Sequence, residues 1–96
     1  MGNGVNFPQA FRARRYSKML KYTEKQGQYL AFIYNYTKIN SYPPAEADMQ
    51  RYFRVTPPTV HQMVLMLERQ GFISREPGKA RSIKVLLPSD QLPCLE

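Results

Sequence analysis

The apolar positions change period along the chain, and the changes mark out the elements. From Thr23 the pattern is helical. Tyr29, Leu30, Ile33 and Thr37 recur on one face, with Phe32 and Tyr36 adjoining, which predicts a helix over 24–38. Thr23 followed three residues later by Gln26 has the form of a capping box, and Tyr22 stands where a hydrophobic staple would. Tyr42-Pro43-Pro44 then imposes an extended turn, because proline disfavours helical backbone in the residue before it. Ala45, Met49 and Phe53 set a second, short helix over 45–53. Its first turn holds the acids Glu46 and Asp48, and its end holds Arg51 and Arg54, as the helix dipole favours. A third helix spans Thr56 to Gln70. Thr56 is placed to accept from the first free N–H groups, Pro57 suits the first helical position, and Gly71 suits the left-handed stop. Val60, Val64 and Leu67 form its apolar stripe, with Met63 beside them.

After Gly71 the period falls to two. Phe72-Ile73 begins a strand, Glu76-Pro77-Gly78-Lys79 is a turn signal, and Ile83, Val85 and Leu87 alternate with their neighbours. A hairpin of 72–76 with 82–87 is expected, with a tail from Pro88 onward. Residues 1–10 read as a loose start. Phe11 to Tyr22 fits either a short helix or a basic arm. The expected organisation is therefore an arm over 1–22, a domain over 23–87 and a tail over 88–96. The fold class is α+β: a small winged helix-turn-helix of three helices plus a C-terminal hairpin.

Charge sharpens this picture. The 96 residues carry a formal charge of +7, with a pI of 9.8. Arg12, Arg14, Arg15, Lys18 and Lys21 precede Tyr22 without one acid, so most of the excess lies in the arm. A negatively charged partner is expected, nucleic acid first and an anionic membrane surface second. No apolar run approaches a membrane span, no signal-peptide core is visible, and Cys94 is the only cysteine, so a cytoplasmic, reducing setting is expected. Catalysis finds little support. There is no Gly-rich phosphate loop, no His/acid pair at useful spacing and no ligand cluster of metal geometry, so no enzyme activity, cofactor or metal is expected.

The face of the third helix opposite its apolar stripe carries Pro58, Thr59, His61 and Gln62, uncharged polar or compact groups. In a winged helix such a face reads base edges while basic groups hold phosphates. Gln62 can pair bidentately with adenine, and Thr59 can touch a thymine methyl or a phosphate. His61 is equally readable as a contact or as a plain exposed imidazole. Arg51, Arg54, Lys79 and Arg81, with Lys38, are the phosphate candidates, and Arg12, Arg14 and Arg15 fit a minor-groove arm or an unspecific tether. Leu65 and Met66 lie toward the outer face of the same helix. They keep open a second reading, a winged helix used as a protein-interaction or assembly module, which a large apolar patch there would favour.

Residues 22–87 resemble the winged helix-turn-helix DNA-binding domain of the LexA repressor family. The resemblance rests on Tyr22-Thr23 with Gln26, Tyr42-Pro43-Pro44, Ala47-Asp48-Met49, Thr56-Pro57, Leu67 to Ile73, and Lys79-Ala80-Arg81-Ser82-Ile83. It implies base contacts from Thr56, Pro58, Thr59, His61 and Gln62 and a wing contact from Arg81. The chain departs from the family pattern in three places. The turn before Thr56 is a residue shorter and lacks a glycine, Pro58 replaces a side-chain amide, and His61 and Gln62 replace acids. A different target sequence is implied. The repressor's self-cleaving, dimerising half has no counterpart in these residues. One copy reads only a half-site, so a homodimer or a larger assembly on double-stranded DNA is expected.

Overall fold

The computed structural model describes residues 22–96. Three helices, α1 (Glu24–Asn40), α2 (Glu46–Phe53) and α3 (Pro57–Arg69), precede two short strands, β1 (Ile73–Ser74) and β2 (Lys84–Val85), and a 3-10 turn at Ser89–Gln91. The strands pair antiparallel, Ile73 opposite Val85 and Ser74 opposite Lys84. The three-helices-plus-hairpin order read from the periodicity is the order found.

Local chemistry explains each boundary. The capping box forms: Gln26 N–H donates to Thr23 Oγ1 at 3.1 Å, and Thr23 N–H donates to Gln26 Oε1 at 3.0 Å. The same Gln26, buried, donates through Nε2 to Gln70 Oε1 at 3.0 Å, so the start of α1 is tied to the end of α3. The expected stop at Gly71 is a Schellman motif. Gly71 has φ +84°, Phe72 N–H reaches Leu67 O and Gly71 N–H reaches Glu68 O, both at 3.0 Å. α1 runs two residues past its expected end and closes on Ser41 in the left-handed region, φ +67°.

One buried cluster holds the body together. Tyr29, Leu30 and Ile33 of α1, Met49 of α2, Val60, Val64 and Leu67 of α3 and Ile73 of β1 are each at most 2% exposed. Tyr29 stacks on Phe53 with ring centres 4.1 Å apart. The apolar stripe of α3 is thus wholly spent on the core, which fixes its polar face outward.

Two expectations need correction. The hairpin ladder is shorter than 72–76 with 82–87, although Leu86 N–H to Phe72 O at 2.9 Å adds one rung. Toward the tip, Ser82 Oγ accepts from Glu76 N–H and donates to Lys79 O, both at 2.9 Å. A side chain there does the work of backbone pairing, because Pro77 and Gly78 (φ +76°) turn the chain too tightly for more rungs. Residues 88–96 do not trail as a free tail. Leu92 and Leu95 pack against the core, Tyr22 Oη donates to Gln91 O at 2.7 Å, and the Gln28 side-chain amide pairs with Cys94 O and Glu96 N–H at 2.9 and 2.8 Å. Two leucines in a polar run were enough to dock the segment on α1.

Candidate nucleic-acid interface

α3 is buried along one side and open along the other. Val60, Val64 and Leu67 have no exposed surface, while Thr56, Pro57, Pro58, Thr59, His61 and Gln62 are all exposed. The structure therefore brings all five expected base-reading residues onto one solvent face. Thr56 precedes the helix as expected, but its side chain does not cap it. Thr56 Oγ1 instead meets Thr59 Oγ1 at 2.9 Å. The Pro57-Pro58 pair has no N–H at the first two helical positions, so half of the usual unpaired donors of a helix start are missing and only Thr59 N–H is left for a cap of this kind. This end of α3 offers hydroxyls and proline carbons where helix starts ordinarily offer amide N–H groups. His61 Nδ1 lies 3.2 Å from the Glu46 carboxylate, bridging the first turns of α3 and α2. Gln62 is exposed, and among the described residues its amide has no hydrogen-bond partner.

The phosphate candidates divide into three kinds. Arg51 and Lys79 are exposed and each touches a nearby acid, Arg51 with Asp48 and Lys79 with Glu76 at 3.7 Å. The Lys79–Glu76 pair, exposed on both sides, holds weakly and exchanges readily for a phosphate, whereas Arg51 meets a buried carboxylate. Arg54 has no acidic partner among the described residues. It occupies the α2–α3 turn with φ +56°, the left-handed position for which glycine is the natural residue.

Arg81, expected as a phosphate candidate on the wing, is the third kind: it is exposed and also engaged with the body. Its guanidinium folds back over the body. Nη1 donates to Tyr36 Oη at 3.1 Å and to Pro43 O at 3.2 Å, and lies 3.2 Å from Asp48 Oδ2, while the guanidinium carbon sits 5.0 Å from the centre of the Tyr42 ring. The Tyr36 hydroxyl first, with Asp48 and Tyr42 behind it, raises its proton affinity above that of a free arginine. Asp48, Tyr36 and Tyr42 were not singled out from the sequence as part of the site. The available signal was Ala45, a residue with no capping side chain. Asp48, at the third position of α2, accepts from Ala45 N–H at 2.8 Å and thereby turns inward toward the wing. Arg75 was also missed. It pairs with Glu68 at 2.9 Å and lines, with Glu46, Lys79 and Arg81, a cup of about 220 Å³ between the wing and α2.

Arg12, Arg14 and Arg15 lie outside the described residues. Residues 23–96 carry nine basic and seven acidic side chains. Among the described residues no cluster of His, Cys, Asp and Glu has the makings of a metal site, and no helix is long and apolar enough to cross a membrane.

Residues 19–82 match the family model of the LexA DNA-binding domain. The chain is 43% identical over 68 residues to the LexA repressor of Thermosipho melanesiensis, covering 71% of this chain and 34% of that protein. It is 36% identical over 63 residues to the LexA repressor of Thermotoga maritima, covering 66% and 32%. A third relative, the LexA repressor of Pseudothermotoga lettingae, is 39% identical over 71 residues, covering 73% and 34%. The chain spans about a third of the length of these curated relatives. With the winged helix-turn-helix fold, the matched residues place this chain in the LexA DNA-binding domain family.

Proposed function

We propose that this chain binds double-stranded DNA in a sequence-dependent manner and regulates transcription, with α3 in the major groove and the 75–82 wing along the backbone. The observation that carries the reading is the exposed row Thr56, Pro58, Thr59, His61 and Gln62, set opposite the fully buried stripe of α3. A helix about 10–12 Å across fits a major groove about 12 Å wide. The Gln62 amide supplies the donor–acceptor pair that adenine matches. Thr59 supplies a methyl for thymine, and Pro58 supplies an apolar contact where an amide would demand a hydrogen bond. Arg51, Arg54 and Lys79 neutralise phosphates, and Arg12, Arg14 and Arg15 add long-range attraction. The exposed large apolar side chains Ile39, Tyr42, Tyr52, Met66 and Leu86 all lie off the first two turns of α3, which favours nucleic acid over a protein partner at that face.

One copy covers a half-site, so two copies on a two-fold-symmetric duplex form the working unit. Selection from a random duplex pool at two salt concentrations tests this. An enriched palindrome supports both the readout and the pairing. Recovery of unrelated sequences at both salts would reject sequence-dependent binding.

A further inference from the structure

The wing joins the body through apolar side chains, Ile73 and Ile83 in the core and Val85 packed against it. β1 and β2 are two residues each, and past Ser74 and Lys84 the tip closes only locally, through the Ser82 hydroxyl and the Lys79 N–H to Glu76 O turn bond at 3.1 Å. Yet Arg81, one residue from Ser82, reaches three separate parts of the body at once. It touches Tyr36 on α1, Pro43 and Tyr42 in the connection, and Asp48 on α2. Its backbone is held at φ +58°, a conformation that non-glycine residues rarely adopt unless surrounding contacts impose it. Asp48 is 9% exposed, accepts from Ala45 N–H and from Arg51, and forms an ion pair with Arg81. The planar, forked guanidinium suits this several-sided role, and a lysine ammonium would not reproduce it.

We infer that Asp48 and Arg81 form a clamp that sets the angle of the wing against α2 and α3, so that Arg81 is a positioning residue for DNA binding and its charge is not spent on a phosphate. The inference rests on the DNA-binding reading and deepens it. Asp48 and Arg81 belong together in this account, and their effects follow from that coupling. Removing the acid weakens binding, although simple electrostatics near a polyanion demands the opposite. Removing the arginine weakens binding without lowering the number of phosphates neutralised.

The test uses the 96-residue chain with Asp48→Asn, Arg81→Gln, Arg81→Lys and the Asp48→Asn/Arg81→Gln pair. Asparagine keeps an acceptor for Ala45 N–H. Neither Gln nor Lys changes the left-handed requirement at position 81, so the backbone cost stays constant across the series. Far-UV circular dichroism melts confirm that each variant is folded at the assay temperature. Duplex affinity is measured against salt. Each single variant is expected to lose about tenfold, the scale of coupled polar groups, and the double variant no more than either single one. The slope of log K against log salt stays that of the parent chain. An Arg81→Gln slope lower by about 0.9, rescue by lysine, or tighter binding by Asp48→Asn would each overturn the clamp, because each is the signature of a direct phosphate contact.

A second readout needs no DNA. Residual dipolar couplings of the Ser74, Lys84 and Leu86 amides should share one alignment with α1 in the parent chain and depart from it in Arg81→Gln. Unchanged couplings in that variant would also overturn the clamp. If the parent chain fails to bind any duplex, the DNA-binding reading falls, and the couplings still decide whether the clamp exists.

Discussion

At the scale of single residues, the same side chain can serve binding at the expense of stability. Arg54, proposed above as a phosphate contact, is the case to test. It sits at φ +56°, where a side chain costs about 1–2 kcal/mol that glycine avoids, partly returned by the greater freedom of glycine in the unfolded chain. Arg54→Gly is therefore expected to stabilise the fold by about 1 kcal/mol in urea unfolding. The same change should reduce the salt slope of duplex binding by about 0.9, as one phosphate contact is lost. A variant that is both less stable and unchanged in slope would show that Arg54 was assigned wrongly on both counts. Tyr29 gives a second prediction. Burial pushes its hydroxyl above the ordinary value of 10.0. Well below that pH the folded and unfolded chains both keep the proton, so nothing changes. As pH rises through 10.0 the unfolded chain releases it first, and stability falls. Chemical unfolding at pH 9 and at pH 10.5 should show this drop, and Tyr29→Phe should reduce it.

At the scale of elements, sequence periodicity and caps account for most of what is observed. The capping box, the Gly71 stop and the three apolar faces are local rules, and local rules survive folding when no tertiary contact opposes them. What was not legible involved partners far apart in the chain. Leu92 and Leu95 gave no periodic signal, because a docked segment without regular structure has none. The contacts of Arg81, read from the sequence only as a wing phosphate candidate, were not legible because its partners lie 33 to 45 positions away, at Asp48 and Tyr36. Gly27 shows how a distant contact reverses a local rule. By propensity, alanine in the first turns of α1 should gain close to 1 kcal/mol. A Cβ at Gly27, however, would stand 2.9 Å from the Tyr22 ring and 3.1 Å from Pro93. The ring lies over the bare backbone in place of an ordinary staple, with its hydroxyl fixed to Gln91 O and its edge on Phe72. Overpacking of this kind costs about 1–3 kcal/mol, so Gly27→Ala is expected to destabilise by roughly 1 kcal/mol net. A thermal melt displaced upward would mean that Tyr22 and the 88–96 segment yield freely.

At the scale of the whole molecule, the arrangement separates two tasks. The core takes the apolar stripe of α3, and the other side of its first turns is left exposed. Family membership was legible because the residues that carry the resemblance, such as Thr23 with Gln26 and Leu67 to Ile73, make caps, turns and core. Target preference was not, because Pro58, His61 and Gln62 are exposed and make none of the core. The account centres on those first turns. Its most direct test compares the affinity of the parent chain and of Gln62→Ala for a selected duplex and for one altered at a single adenine. The parent chain should prefer the selected duplex by about 1–3 kcal/mol, and Gln62→Ala should lose most of that preference while binding the altered duplex nearly as before. Equal preference in both proteins, at every adenine of the site, would contradict the reading of bases by this face of α3.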